Sequence, residues 1–274
     1  MFWTRLASGI TLLMIAIASL YVGEWPLLVL LFLCSMVAYR ELTKVFGVNA
    51  GKSKFSTPEI IGFLGVIAYY AAVYFSRDRV ILLMCIVTLF LAEMFVYVIA
   101  FPKYKDSQIM SSVFSFLYAP VLLAFVYLTR AGENGIYLVW LILISSWGCD
   151  TCAYAVGMLI GRKKIFPKLS PKKSLEGCIG GTLGCALIGG LYGYFVVEKI
   201  LPGQNIALVI AFICAVAGIM SMVGDLAASA IKRDHGVKDY GKLIPGHGGV
   251  MDRFDSMTVT APVIYFLSLL MIGL

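Results

Sequence analysis

The run NIALVIAFICAVAGIMSMVGDLAASA, residues 205–230, decides the fold, because Asp225 is its only charged residue. As a helix rising ~1.5 Å per residue it exceeds the ~30 Å hydrocarbon core of a bilayer. Runs of the same kind recur at roughly 6–22, 25–43, 58–76, 80–100, 108–128, 136–160, 177–197 and 254–273. About nine transmembrane helices are therefore expected, and an all-α polytopic integral membrane protein. A barrel would instead show short alternating segments. Composition agrees: 61% of residues are hydrophobic, 14% are charged and mean hydropathy is +0.92, which excludes an ordinary soluble domain. The first run, with Arg5 ahead of it and Ala16-Ile17-Ala18 near its end, has features of a signal peptide and is read here as a helix.

Lys and Arg set the expected orientation. With nine spans, 18 of the 22 fall on the side of the amino terminus, leaving Arg77, Arg79, Arg130 and Lys199 opposite. The amino terminus and the loop after residue 230 are expected to be cytoplasmic. The net charge of +7 suits anionic headgroups and nucleotides on that face. Seven cysteines, Cys34, Cys85, Cys149, Cys152, Cys178, Cys185 and Cys214, lie in or beside apolar runs, and an odd, scattered set argues against a disulfide framework. Tyr69, Tyr70 and Tyr74 read as an interfacial belt, Glu93 as a neutral carboxyl bonded to a neighbouring helix, and Pro120 as a kink facing protein.

Polarity is concentrated immediately after the deciding run, in DLAASAIKRDHGVKDYGKLIPGHGGVMDRFD, residues 225–255. If the helix continues to Arg233, then Asp225, Ser229, Lys232 and Arg233 share one face, with Asp225 roughly 12 Å back from the helix end. Asp252 and Asp255, spaced i, i+3, open the last apolar run, and Pro245, Gly246, Gly248 and Gly249 between them predict a tight turn. Carboxylates facing cations and exposed backbone N–H groups suit phosphoryl or nucleotidyl transfer: acids hold a divalent metal, and the metal and cations neutralise phosphate oxygens. The same residues could also form a solvated loop. Upstream, Asp150, Tyr154, Gly157 and Gly161 share a helix face; Asp150 could complete a carboxylate cluster with Asp225 or pair with a cation such as Arg162 or Lys232. In the basic loop that follows, Ser170-Pro171 reads as an N-cap and first helical residue, presenting N–H groups among Lys172 and Lys173. Glycines 177, 180, 181, 184, 189, 190 and 193 predict close helix packing, or a groove for lipid.

The run Ser229, Ile231, Lys232, Arg233, Lys238-Asp239, Gly241, Ile244-Pro245, His247-Gly248-Gly249-Val250 and Asp252-Arg253-Phe254-Asp255 resembles the signature of the phosphatidate cytidylyltransferases, the CDP-diacylglycerol synthases. Ser170-Pro171-Lys172-Lys173-Ser174-Leu175-Glu176-Gly177 is similar to a second motif of that family, with Ser174 where threonine is usual. The resemblance implies a membrane enzyme that joins CTP and phosphatidate using Mg2+, with one or two metal ions. It implies metal ligands Asp225, Asp252, Asp255 and Asp150; catalytic roles for Asp225, Asp252, Lys232, Arg233, Lys238, Asp239, His247 and Arg253; and substrate contacts from Ser170, Lys172, Lys173, Ser174, Glu176, Ser229, Gly248 and Gly249. It further implies a multi-pass protein of the cell (inner) membrane with its site on the cytoplasmic side. Membrane lipids are the expected surroundings, with no nucleic-acid partner. Residues 1–130 are expected to serve as a scaffold or for dimerisation into a homodimer, and residues 131–274 to carry the site. A transporter with Glu93, Asp150 and Asp225 as an ion path would leave Asp252 and Asp255 unused, and a lipid-binding scaffold would leave the intramembrane acids unexplained.

Overall fold

The computed structural model describes residues 2–49, 54–167, 169–201, 205–244, 246 and 248–273. Among these there is no β-strand, and the chain forms nine helical rods. They are α1 (Phe2–Val22), α2 (Glu24–Val45), α3 (Thr57–Phe75), α4 (Arg79–Ile99), α5 (Asp106–Arg130), α6 (Gly135–Ile160), α7 (Leu175–Val197), α8 (Ile206–Asp234) and α9 (Met251–Met271). Eight, α2 to α9, are long and apolar enough to cross a membrane; in α1 the described apolar stretch is Leu13–Val22. The expectation of about nine spans is thus met closely.

Local chemistry explains where the rods begin. Ser56 caps α3 by accepting from Glu59 N, and the Glu59 carboxylate accepts in return from Ser56 N at 2.9 Å. Asp78 caps α4 through Val80 N and Ile81 N. Three rods contain a π-helical turn, at Leu117–Val121, Ile144–Gly148 and Gly193–Val197. The first holds the buried Pro120, whose missing N–H and ring bulk the wider turn accommodates, as the kink reading requires.

The chain forms two compact units: Met1–Leu128 with His235–Arg253, and Thr129–Asp234 with Phe254–Leu274. In the first unit α4 turns Leu83, Phe90, Leu91 and Phe95 outward, as a lipid-facing helix does, while Leu82, Leu89 and Glu93 are buried. Glu93 is fully buried, and Ser112 Oγ donates to its Oε1 at 2.7 Å, so the helix-bonded carboxyl expected of it is found. The tyrosine belt needs correction. Tyr69 and Tyr70 are buried; the Tyr70 hydroxyl shares a hydrogen bond with Ser35 and the Tyr69 ring packs edge-on against Phe116, inside the bundle rather than at its rim. Tyr74 alone of the three is exposed.

The second unit is packed through glycine. A Cβ on Gly181 would lie 2.8 Å from Ala153 Cβ and 2.9 Å from Cys149 O, and Gly180, Gly184, Gly189 and Gly218 likewise leave no room beside Val156, Cys152, Cys214 and Cys185. Helices α6, α7 and α8 therefore meet nearly backbone to backbone, as small-residue faces do in lipid. The cysteines serve here as small packing residues, and all seven are free thiols. Because the α6–α7 contact has no spare volume, Gly181→Val should destabilise the protein by about 1–3 kcal/mol. Leu183→Val, at a 65% exposed position on the same helix, should stay within about 0.5 kcal/mol in the same denaturant titration in detergent.

Candidate active site

Helix α8 runs through Arg233 to Asp234, so Asp225, Ser229, Lys232 and Arg233 do share one face. Within the second unit Asp225 forms an ion pair with Lys173, Nζ to Oδ2 at 2.6 Å, which ties the second motif to α8. Asp150 lies within Coulombic range of Asp225 and of Lys173. Asp255, 8% exposed, feels Asp225, Asp150 and Lys232. Asp150 thus joins the carboxylate group, and the cation it faces is Lys173. Lys173 and Lys232 are the cations that face these three acids.

Beside these acids lies a cavity of about 550 Å³, lined by Asp150, Lys164, Ser170, Lys172, Lys173 and Ser174 among others. Its rim is a loop that doubles back. Leu175 N donates to Lys163 O at 2.8 Å, Ile165 N to Lys173 O at 3.4 Å, and Lys164 pairs with Ser174. Glu176 holds the near strand by accepting from Arg162 N and Lys163 N, and Lys164 Nζ donates to Lys172 O. The expected cap at Ser170 needs correction. Lys173 N donates to Ser170 O, which closes a β-turn with Pro171 at its second position, and the helix starts at Leu175, capped by Ser174, which accepts from Gly177 N. A serine before a proline begins either structure, and here the chain must first turn to bring Lys173 toward Asp225.

In the first unit the segment after α8 forms the expected turn. Gly246 and Gly248 take positive φ of 77° and 89°, which a side chain would resist, and Ile244 N donates to Gly248 O. Pro245 and His247 lie outside the described residues. Helix α9 starts at Met251, placing Asp252 and Asp255 in its first two turns as the spacing implied. Asp252 Oδ2 accepts from Tyr240 N at 2.8 Å and from Gly249 N at 2.9 Å, so the donor expected of Gly249 is engaged within the protein. Lys238, Asp239 and Arg253 are exposed in this segment, and Arg233 is exposed at the end of α8.

One residue escaped the reading of the sequence. Glu41 of α2 is 6% exposed, and its carboxylate accepts from Val250 N at 3.1 Å and Met251 N at 2.9 Å. An acid between Arg40 and Lys44, near a helix end, reads as ordinary surface charge, and nothing local points 210 residues ahead.

Among the described residues no three His, Cys, Asp or Glu side chains converge closely enough to enclose a metal ion. The donor chemistry nevertheless fits magnesium, which is held by one or two carboxylates and otherwise by water and phosphate oxygens. The loop gives a test of its own: Glu176→Gln should raise hydrogen exchange at the Arg162 and Lys163 amides by about fivefold or more while leaving helical circular dichroism unchanged.

The profile of a family described as the cytidylyltransferase family matches residues 3–271. A phosphatidate cytidylyltransferase of Staphylococcus saprophyticus is 30% identical over 268 residues, covering 96% of this chain and 97% of that protein. Those of Thermotoga maritima and Haemophilus influenzae are each 40% identical, over 168 and 134 residues. These two matches cover 59% and 49% of this chain and 61% and 46% of the respective relatives. With the match running through every span and both motifs, the chain belongs to the cytidylyltransferase family.

Proposed function

We propose that this multi-pass membrane protein transfers the cytidylyl group of CTP to phosphatidate, giving CDP-diacylglycerol and pyrophosphate for phospholipid synthesis. Family membership and relatives named for this activity support the reaction. The observation that carries it in the structure is the Lys173–Asp225 pair beside a lysine-lined cavity. A phosphate oxygen of phosphatidate attacks the α-phosphorus of CTP, forming the new P–O bond as the bond to the β-phosphate's bridging oxygen breaks; the electron pair leaves with pyrophosphate. Both reactants are anions, so the task is charge neutralisation and alignment.

The roles follow from position. Lys172 and Lys173 line the cavity and meet phosphate oxygens, and Lys164 lines it with them. Lys232, Arg233, Lys238 and Arg253 supply further positive charge, with Ser170, Ser174 and Ser229 as hydroxyl donors. Ser174 and Glu176 also keep the loop in register. Asp239 and His247 have supporting parts in the signature segment. A phosphate monoester is ionised at neutral pH, so no strong general base is needed. Asp225, Asp255 and Asp150 would hold Mg2+; Asp252, a metal ligand by the family resemblance, secures the turn in its own unit. When bound, the ion neutralises phosphate charge and polarises the P–O bond being broken. Lys173 acts as the counter-charge of Asp225 and stays within reach of a phosphate. The distribution of Lys and Arg supports a cytoplasmic amino terminus and site, in the cell (inner) membrane that the family resemblance implies. The early helices form a scaffold suited to a homodimer.

Radiolabelled CTP supplied with phosphatidate in mixed micelles should yield a labelled lipid with wild-type protein. EDTA should abolish this and excess Mg2+ restore it, while full activity in chelator would remove the metal from the mechanism. Lys173→Ala should lower kcat/KM by at least about tenfold, or ~1.4 kcal/mol of transition-state stabilisation, with little loss of folded protein. A change below threefold would take the second motif out of the site.

A further inference from the structure

The signature segment is held by a residue far outside the signature. Both oxygens of Glu41 are used, Oε1 by Val250 N and Oε2 by Met251 N, at the point where the turn becomes α9. Two glycines make room for this carboxylate: a Cβ on Gly241 or on Gly249 would run into Glu41. Asp252 grips the same turn from within the segment, through Tyr240 N and Gly249 N. The backbone amides of residues 249, 250 and 251 are thus taken in succession by two carboxylates, one from the turn's own helix and one from α2. The N–H groups at a helix start have no partners inside the helix and attract negative charge, so a buried carboxylate is a strong and directional anchor for them.

We infer that Glu41 is a positioning residue for the catalytic turn: it fixes where α9 begins, and through that the placement of Asp252 and Arg253. The inference rests on the proposed cytidylyl transfer. Glu41 touches no reacting atom. Its contribution is to alignment, and a displacement of about 1 Å at a reacting group can cost a hundredfold in rate. Losing it should therefore lower turnover more than it weakens substrate binding.

Glu41→Gln keeps the shape of the side chain but turns an N–H2 group toward one of the two amides. Compared with wild type, kcat should fall by at least about tenfold while KM for CTP and for phosphatidate stays within about threefold. Exchange at the Val250 and Met251 amides should accelerate by at least about tenfold, with the middle of α2 unchanged. Gly241→Ala, which presses on the carboxylate from the turn, should move both readouts in the same direction. Wild-type kinetics and unchanged exchange in Glu41→Gln would overturn the inference. So would a pure KM effect, or failure of both variants to fold, which would make Glu41 a residue of the fold alone. If wild-type protein made no labelled lipid, the reaction would be at fault; the exchange data would still decide whether Glu41 holds the turn.

Discussion

An ionised carboxylate taken out of water is costly unless it is paired or hydrogen-bonded. The arrangement of this chain follows from meeting that demand at acid after acid. Glu59 is met by Arg40, Thr43 and its own helix cap, Glu93 by Ser112, Asp225 by Lys173, and Glu41 and Asp252 by backbone amides. The nature of each answer separates the acids by task. Glu59 and Glu93 are answered within the first unit, by a helix cap and side chains of neighbouring helices. Asp150, Asp225 and Asp255 lie instead beside the lysine-lined cavity, with Lys173 and Lys232 as their counter-charges.

Local order was legible because it depends on near neighbours. The apolar runs marked the membrane helices to within a few residues, the i, i+4 stripe from Asp225 held because α8 does continue, and the glycines at 246 and 248 turn with the positive φ expected of them. The misreadings arose where a residue type serves two local structures. Ser170-Pro171 opens a turn as readily as a helix, and Lys173 N settles on Ser170 O. Tyr69 and Tyr70 carry the amphipathic chemistry of a membrane rim, yet Ser35 within the bundle gives Tyr70 its partner. Glu41 was illegible in principle from spacing, since its partners are main-chain groups and leave no trace in side-chain pattern.

The second unit shows how little volume the site's framework spends on side chains. Where glycine faces cysteine or alanine across α6, α7 and α8, the helices come close, and Asp150 and Asp225 are carried on rods with little freedom to shift. The doubled-back loop extends this rigidity to the lysines, because its own amides and the Glu176 carboxylate close it without help from substrate. A site that must hold two anions together gains from a framework that does not yield to them.

The bond between Glu41 and Met251 has a consequence for how the protein is made. Its partners are separated by 210 residues, and the first compact unit is completed only when residues 235–253 join it. At about 5–20 residues per second, roughly 10 to 40 seconds pass between synthesis of α2 and arrival of the amides its carboxylate will bind. Throughout that interval water or a proton must satisfy Glu41. The first compact unit therefore waits for the segment that leads into α9, so a chain cut short before residue 251 lacks the amide that Glu41 Oε2 accepts from as well as the helix itself.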